Sequence, residues 1–155
     1  VGIGETSTEL ADSLLTLRAQ AREYRAIAEV IVQNFRAKPD TALRHADDLG
    51  PECIALIESA DDVCFSAVTP WELGIKRALG KLDFPDGLVA ALGEAGFTPL
   101  DITVDHARRA AALPAHHRDP FDRMLIAQAQ LESRHLVSAD ASLAPYDVER
   151  IDARR

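Results

Sequence analysis

Val63-Cys64-Phe65-Ser66-Ala67-Val68-Thr69-Pro70-Trp71-Glu72 is the stretch that decides the fold. Its first six residues are almost continuously apolar, as in a strand covered on both faces of a parallel sheet. The next four open a helix, expected over Thr69 to Leu79 and closed by Gly80. A strand that feeds directly into a helix is half of a βαβ unit. Working outward, Pro51 to Ala60 reads as a helix with Pro in its first turn. Residues 87 to 95 read as a helix ended by Gly96. Phe97 to Thr103 reads as a strand and Val104 to Leu113 as a helix. Pro114 to Arg118 is a loop, Asp119 to Ser133 a helix and His135 to Ser138 a strand. Val148 to Ile151 is a weak edge strand. The alternation predicts an α/β domain with a mostly parallel sheet.

The first part of the chain reads differently. Thr6 and Glu9 have capping-box spacing. Leu10, Leu14, Leu17, Ala21, Tyr24, Ala28, Ile31 and Phe35 then follow a heptad seam. Lys38-Pro39 stops it. The expectation is one atypical long N-terminal helix of about 45 Å. It would pack along its own domain or along a second copy. The expected division is residues 1–46 as a helical segment and 47–155 as the α/β domain.

The 155 residues suit one domain with a core that needs no disulfide. Cys53 and Cys64 have no metal or disulfide spacing, so buried reduced thiols are expected. The sequence contains no apolar run of membrane-spanning length and no signal-peptide pattern, so a cytoplasmic location is expected. The net charge of −8 argues against a basic-patch nucleic-acid binder. Residues 1–46 carry six acids and six bases, so the whole excess lies in 47–155. Such an excess is compatible with a nuclease, because a bound metal ion supplies the missing positive charge.

Two helix starts share one pattern. Thr69-Pro70-Trp71-Glu72 and Asp119-Pro120-Phe121-Asp122 each run cap, Pro, aromatic, acid. The bland account of each acid is helix capping and favourable contact with the macrodipole. Position in the sheet adds a second account. Glu72 lies just past the strand that ends at Val68, and Asp140 just past the strand that ends at Ser138. Ligands of open parallel sheets bind outside the carboxyl ends of strands. Glu72, Asp140 and Asp122 could therefore meet and hold Mg²⁺ or Mn²⁺, which suit oxygen ligands. This donor set suits metal-assisted attack of water on a phosphodiester.

Phe65 to Lys76, then Leu79-Gly80-Lys81-Leu82 and Gly96-Phe97, resemble the PIN-domain ribonucleases. The most specific stretch is Leu113-Pro114-Ala115-His116-His117-Arg118-Asp119-Pro120-Phe121-Asp122-Arg123-Met124-Leu125-Ile126-Ala127-Gln128-Ala129, followed by Val137-Ser138-Ala139-Asp140. The likeness is to VapC-type toxins of toxin–antitoxin pairs and covers about two-thirds of the chain. It implies a three-layer PIN-like fold and a metal-dependent endoribonuclease. It also implies a homodimer neutralised by a small antitoxin protein, with RNA as substrate. Glu72, Asp122 and Asp140 match the family's second, third and fourth acids. Asp119 belongs to the same motif, as a further acid or as the helix cap.

The departure is at the first acid, which the family places at the end of a central first strand. The nearest candidate is Glu5 in Val1-Gly2-Ile3-Gly4-Glu5-Thr6-Ser7, where two glycines make a poor strand. Glu5 is more readily a helix-entry residue. The alternative function is therefore a catalytically impaired PIN-like protein that only binds an antitoxin or another partner. A third reading makes residues 1–46 foreign to the domain.

Other side chains carry two accounts each. His116, His117, Arg118 and Arg123 either position RNA phosphates or form a solvated loop with local ion pairs. Ser66 and Ser138 either bond a carboxylate or metal-bound water, or are purely structural. Trp71 is expected in the core rather than as a stacking platform.

Overall fold

The computed structural model describes residues 29–32, 50–81 and 87–155. Five strands form one parallel sheet in the order β3-β2-β1-β4-β5. β1 is Glu29–Val32, β2 is Asp62–Ser66, β3 is Thr98–Leu100, β4 is His135–Ser138 and β5 is Arg150–Asp152. The helices are α1 (Pro51–Ser59), α2 (Val68–Ala78), α3 (Leu88–Glu94), α4 (Val104–Ala112) and α5 (Pro120–Leu131). A 3₁₀ turn covers Ala141–Leu143.

The sheet corrects the reading of the first block. Residues 29–32, expected within the long helix, form the central strand. β1 pairs with β2 from Glu29↔Asp62 to Val32↔Phe65, and with β4 from Val30↔His135 to Val32↔Val137. The physical reason is local and tertiary together. Val30-Ile31-Val32 are consecutive β-branched residues, which favour a strand. Two neighbouring strands otherwise have unpaired backbone groups facing one another. The rest of the expected helix, its Thr6–Glu9 cap and Glu5 lie outside the described residues. So does Leu82.

β2 shows why both faces are covered. Cys64 joins a cluster with Val68, Leu125, Ile126, Leu136 and Leu143. Its neighbours Val63 and Phe65 join the opposite cluster, with Cys53, Ile57, Phe97 and Ala153. Leu136 and Val137 on β4 divide in the same way. That alternation is the pleat of the strands. Helices α1 and α3 cover one face and α5 the other, giving three layers. The chain end closes against α1. Gly50 N–H donates to Ala153 O at 2.9 Å, and a Cβ at Gly50 would lie 2.0 Å from Arg155 O. Only glycine fits there.

Most other elements fall where the sequence placed them. α2 begins at Val68, and its N-cap is Ala67, two residues before the expected cap Thr69. Ser66 Oγ accepts the Val68 N–H at 3.0 Å, which supplies the capping bond from one position further back. The third strand is shorter than expected because Thr103 leaves it to cap α4 with His106. The edge strand β5 starts at Arg150 rather than Val148. Both cysteines are buried and neither is in a disulfide, as expected. No helix of the described residues is long and apolar enough to cross a membrane.

Candidate active site

The site grows from three chain turns past the carboxyl ends of β2 and β4. α5 begins with Asp119 at its N-cap and Pro120 at its first position. Asp119 Oδ1 accepts the Phe121 N–H at 2.9 Å. Asp119 therefore takes the capping role of its two expected ones. Asp122 follows in the first turn, 2% exposed, beside the positive end of the helix. Asp140 follows β4, its N–H donating to Ser138 Oγ at 3.0 Å. Its Oδ1 accepts the Ser142 N–H at 2.8 Å, leaving Oδ2 turned elsewhere.

The imidazole of His117 lies between these two carboxylates. Nδ1 is 3.3 Å from Asp122 Oδ2, and Nε2 is 3.6 Å from Asp140 Oδ2. One ligand atom from each of His117, Asp122 and Asp140 falls within 4.8 Å of the others. The Asp119 N–H donates to His117 Nδ1 at 3.2 Å. Nδ1 thus accepts a backbone hydrogen bond, which a metal ion at that nitrogen would displace.

The donor set fits a divalent cation. Two carboxylate oxygens and an imidazole nitrogen converge at one place. Asp122 is buried there, and a cation between such acceptors offsets their repulsion. A mixed nitrogen and oxygen set suits Mn²⁺ better than Mg²⁺, which favours oxygen and water.

Glu72 is buried near the start of α2, at 7% exposure. Its Oε1 pairs with Lys76 Nζ at 2.6 Å, one helical turn away. It does not belong to the His117–Asp122–Asp140 group. The residues that follow β1 in sequence are Gln33 and Asn34, so no acid immediately succeeds the central strand.

His117 is the site residue that sequence reasoning missed as a ligand. The sequence places it with His116, Arg118 and Arg123, as a phosphate contact or loop residue. The available signal was its place two residues before the cap of the helix that carries Asp122. Arg118 is exposed, and His116 packs edge-on to Tyr146 at 5.3 Å. Ser66 has a structural bond: its hydroxyl donates to Gln128 Oε1 at 2.5 Å, tying β2 to α5. Trp71 departs from expectation. It is 56% exposed and meets Phe121 edge-on, with ring centroids 5.1 Å apart.

Comparison with known proteins adds two findings. The PIN domain family matches residues 42–149. The FO synthase of Nocardia farcinica is 38% identical over 140 residues, covering 70% of this chain and 16% of that protein. The FO synthase of Streptomyces coelicolor is 58% identical over 48 residues, covering 31% of this chain and 6% of that protein. The 7,8-didemethyl-8-hydroxy-5-deazariboflavin synthase of Methanosarcina mazei is 35% identical over 107 residues, covering 66% of this chain and 30% of that protein. The chain thus spans less than a third of the length of each of these relatives.

Proposed function

From its membership of the PIN-domain family, to which the chain belongs, we propose that this protein is a metal-dependent ribonuclease acting on RNA. The observation that carries this reading is the convergence of Asp122, Asp140 and His117 past the sheet's carboxyl end. When bound, Mg²⁺ or Mn²⁺ would supply Lewis-acid stabilisation of a phosphodiester oxygen and activation of water. Asp122 and Asp140 would hold it, with Glu72 contributing if its bond to Lys76 opens. Asp119 fixes the start of the helix that presents Asp122.

The finer role follows the resemblance alone. It would be the toxin of a toxin–antitoxin pair, cytoplasmic, homodimeric and held inactive by a small antitoxin. The relatives named above are synthases rather than toxins, and their activity is not transferred to a chain that spans so little of them.

One set of observations favours a second reading. Glu72 is engaged by Lys76, and β1 is followed by two amides in sequence. A site with two carboxylates and an imidazole carries less negative charge than the family's four acids. The second reading is a catalytically impaired PIN-like protein that binds a partner. Cleavage of an RNA oligonucleotide in Mn²⁺ separates the two. The enzyme reading expects cleavage that is abolished by chelation and falls at least ~100-fold in Asp122→Asn. Absence of cleavage by the wild type, with Mn²⁺ bound, supports the impaired reading. Cleavage that survives both chelation and Asp122→Asn overturns the metal role.

A further inference from the structure

Arg123 is the residue after Asp122, in a motif where a cation invites assignment to RNA phosphate. Its guanidinium is committed elsewhere. Nη1 donates to Pro114 O at 2.9 Å and to His117 O at 3.2 Å. Nη2 donates to Leu113 O at 2.7 Å and to Ala110 O at 2.9 Å, with Ala111 O at 3.4 Å. Ala110 and Ala111 lie in the last turn of α4 and Leu113 is its C-cap. Carbonyls at a helix end have no partner within the helix, so a guanidinium fork satisfies several at once.

Tyr146 completes the arrangement from another segment. Its hydroxyl donates to Pro114 O at 2.9 Å and accepts the His117 N–H at 2.7 Å. Its ring is buried, at 6% exposure, in the cluster beneath α5. His117 is thereby fixed at three points. Its N–H meets Tyr146, its carbonyl meets Arg123, and its Nδ1 meets the Asp119 N–H. Pro114, Ala115 and His116 beside it are exposed and belong to no regular element. The two side chains together hold the backbone of His117 through its N–H and its carbonyl.

We propose that Arg123 and Tyr146 are positioning residues that clamp the Pro114–His117 loop so that the His117 ring stays between Asp122 and Asp140. Arg123 on this account is not an RNA contact. A phosphate could reach its fork only by displacing the α4 and loop carbonyls. The clamp joins the segments that bear all three members of the site. Arg123 adjoins Asp122 on α5, and Tyr146 follows the 3₁₀ turn that Asp140 caps. The effect on metal binding and turnover rests on the proposed function; the effect on the loop itself does not.

The test compares the wild-type chain, Arg123→Lys and Tyr146→Phe. Lysine keeps the charge but has no fork. Phenylalanine keeps the buried ring and removes only the hydroxyl. In metal-free protein, both variants should speed amide hydrogen exchange at His117 and Asp119 at least ~10-fold relative to the amides of α1. Titration with Mn²⁺ alone should show ~10-fold weaker binding in both, the size expected for loss of outer support to a ligand. With RNA, kcat should fall while KM and its salt dependence stay at wild-type values.

Unchanged exchange at His117 in both variants overturns the clamp. So does an Arg123→Lys variant with wild-type Mn²⁺ affinity, a raised KM and a salt slope flatter by about one, which marks a phosphate contact. If the wild type binds no Mn²⁺, the proposed function fails, and the exchange measurement still decides the clamp.

Discussion

At the scale of single residues, what a side chain is bonded to decides its role more than what type it is. Asp119 and Asp122 are both acids of one motif, yet one holds a backbone N–H and the other turns into the site. Asp122 was legible because the Pro-aromatic-acid pattern fixes its helical position. His117 was not, because its role depends on a loop whose path no spacing rule encodes. Cys53 gives a prediction at this scale. It is fully buried, and burial, with Asp152 nearby, pushes its thiol up to about 11. Its pKa in the unfolded chain is near 9.0. Between these values the folded state keeps a proton that the unfolded state has lost. Unfolding then releases a proton, so stability falls as pH rises from about 9 toward 11 and is insensitive to this thiol below about 9. Urea unfolding at pH 8, 9 and 10 should show this decline, and Cys53→Ala should remove part of it. In native buffer at pH 8 the thiol should also resist alkylation until denaturant is added.

At the scale of elements, legibility followed how local the determining signal was. α5 was read closely because cap, Pro and acid are contiguous at its start. β4 was read correctly because His135-Leu136-Val137-Ser138 is short and bounded by a helix end and an acid. β1 was misread because Ile31 also fits a heptad seam with Ala28 and Phe35. The short apolar run Val30-Ile31-Val32 shows no alternation to set against that periodicity. Trp71 was misjudged because a large aromatic beside a strand suggests the core, whereas Val68, Thr69, Glu72 and Leu73 form the buried side of α2 and Trp71 lies on its exposed side. The Asp119 cap is testable here. Asp119→Ala removes the acceptor for the Phe121 N–H and should cost ~1 kcal/mol of stability. Asp119→Asn keeps a side-chain oxygen and should cost less than half of that. Chemical denaturation of the two variants measures the difference. An equal loss in both would mean that the charge of Asp119, rather than its cap bond, stabilises α5.

At the scale of the whole molecule, the sheet does not respect the boundary that the sequence suggested at residue 46. β1 comes from the neutral first block, yet it sits at the middle of the order β3-β2-β1-β4-β5. Its register joins Val63, Cys64 and Phe65 on one side to His135, Leu136 and Val137 on the other. Deleting it does not trim an edge. It separates a β2–β3 pair from a β4–β5 pair and exposes the backbone groups that face β1 on both. Buried unpaired groups cost ~1–3 kcal/mol each, against a total stability of ~5–15 kcal/mol for a domain. The fragment 47–155 retains Asp122, Asp140, His117 and nearly all of the family match, but lacks this strand. It should therefore fail to fold cooperatively, while the full chain unfolds in one transition. Circular dichroism during a urea titration distinguishes them. A second variant guards against a general effect of truncation: Ile31→Pro in the full chain removes one ladder donor from β1 and should lower the unfolding midpoint steeply. If 47–155 alone unfolds with the same midpoint as the full chain, and Ile31→Pro leaves that midpoint unmoved, then β1 does not hold the two halves of the sheet together.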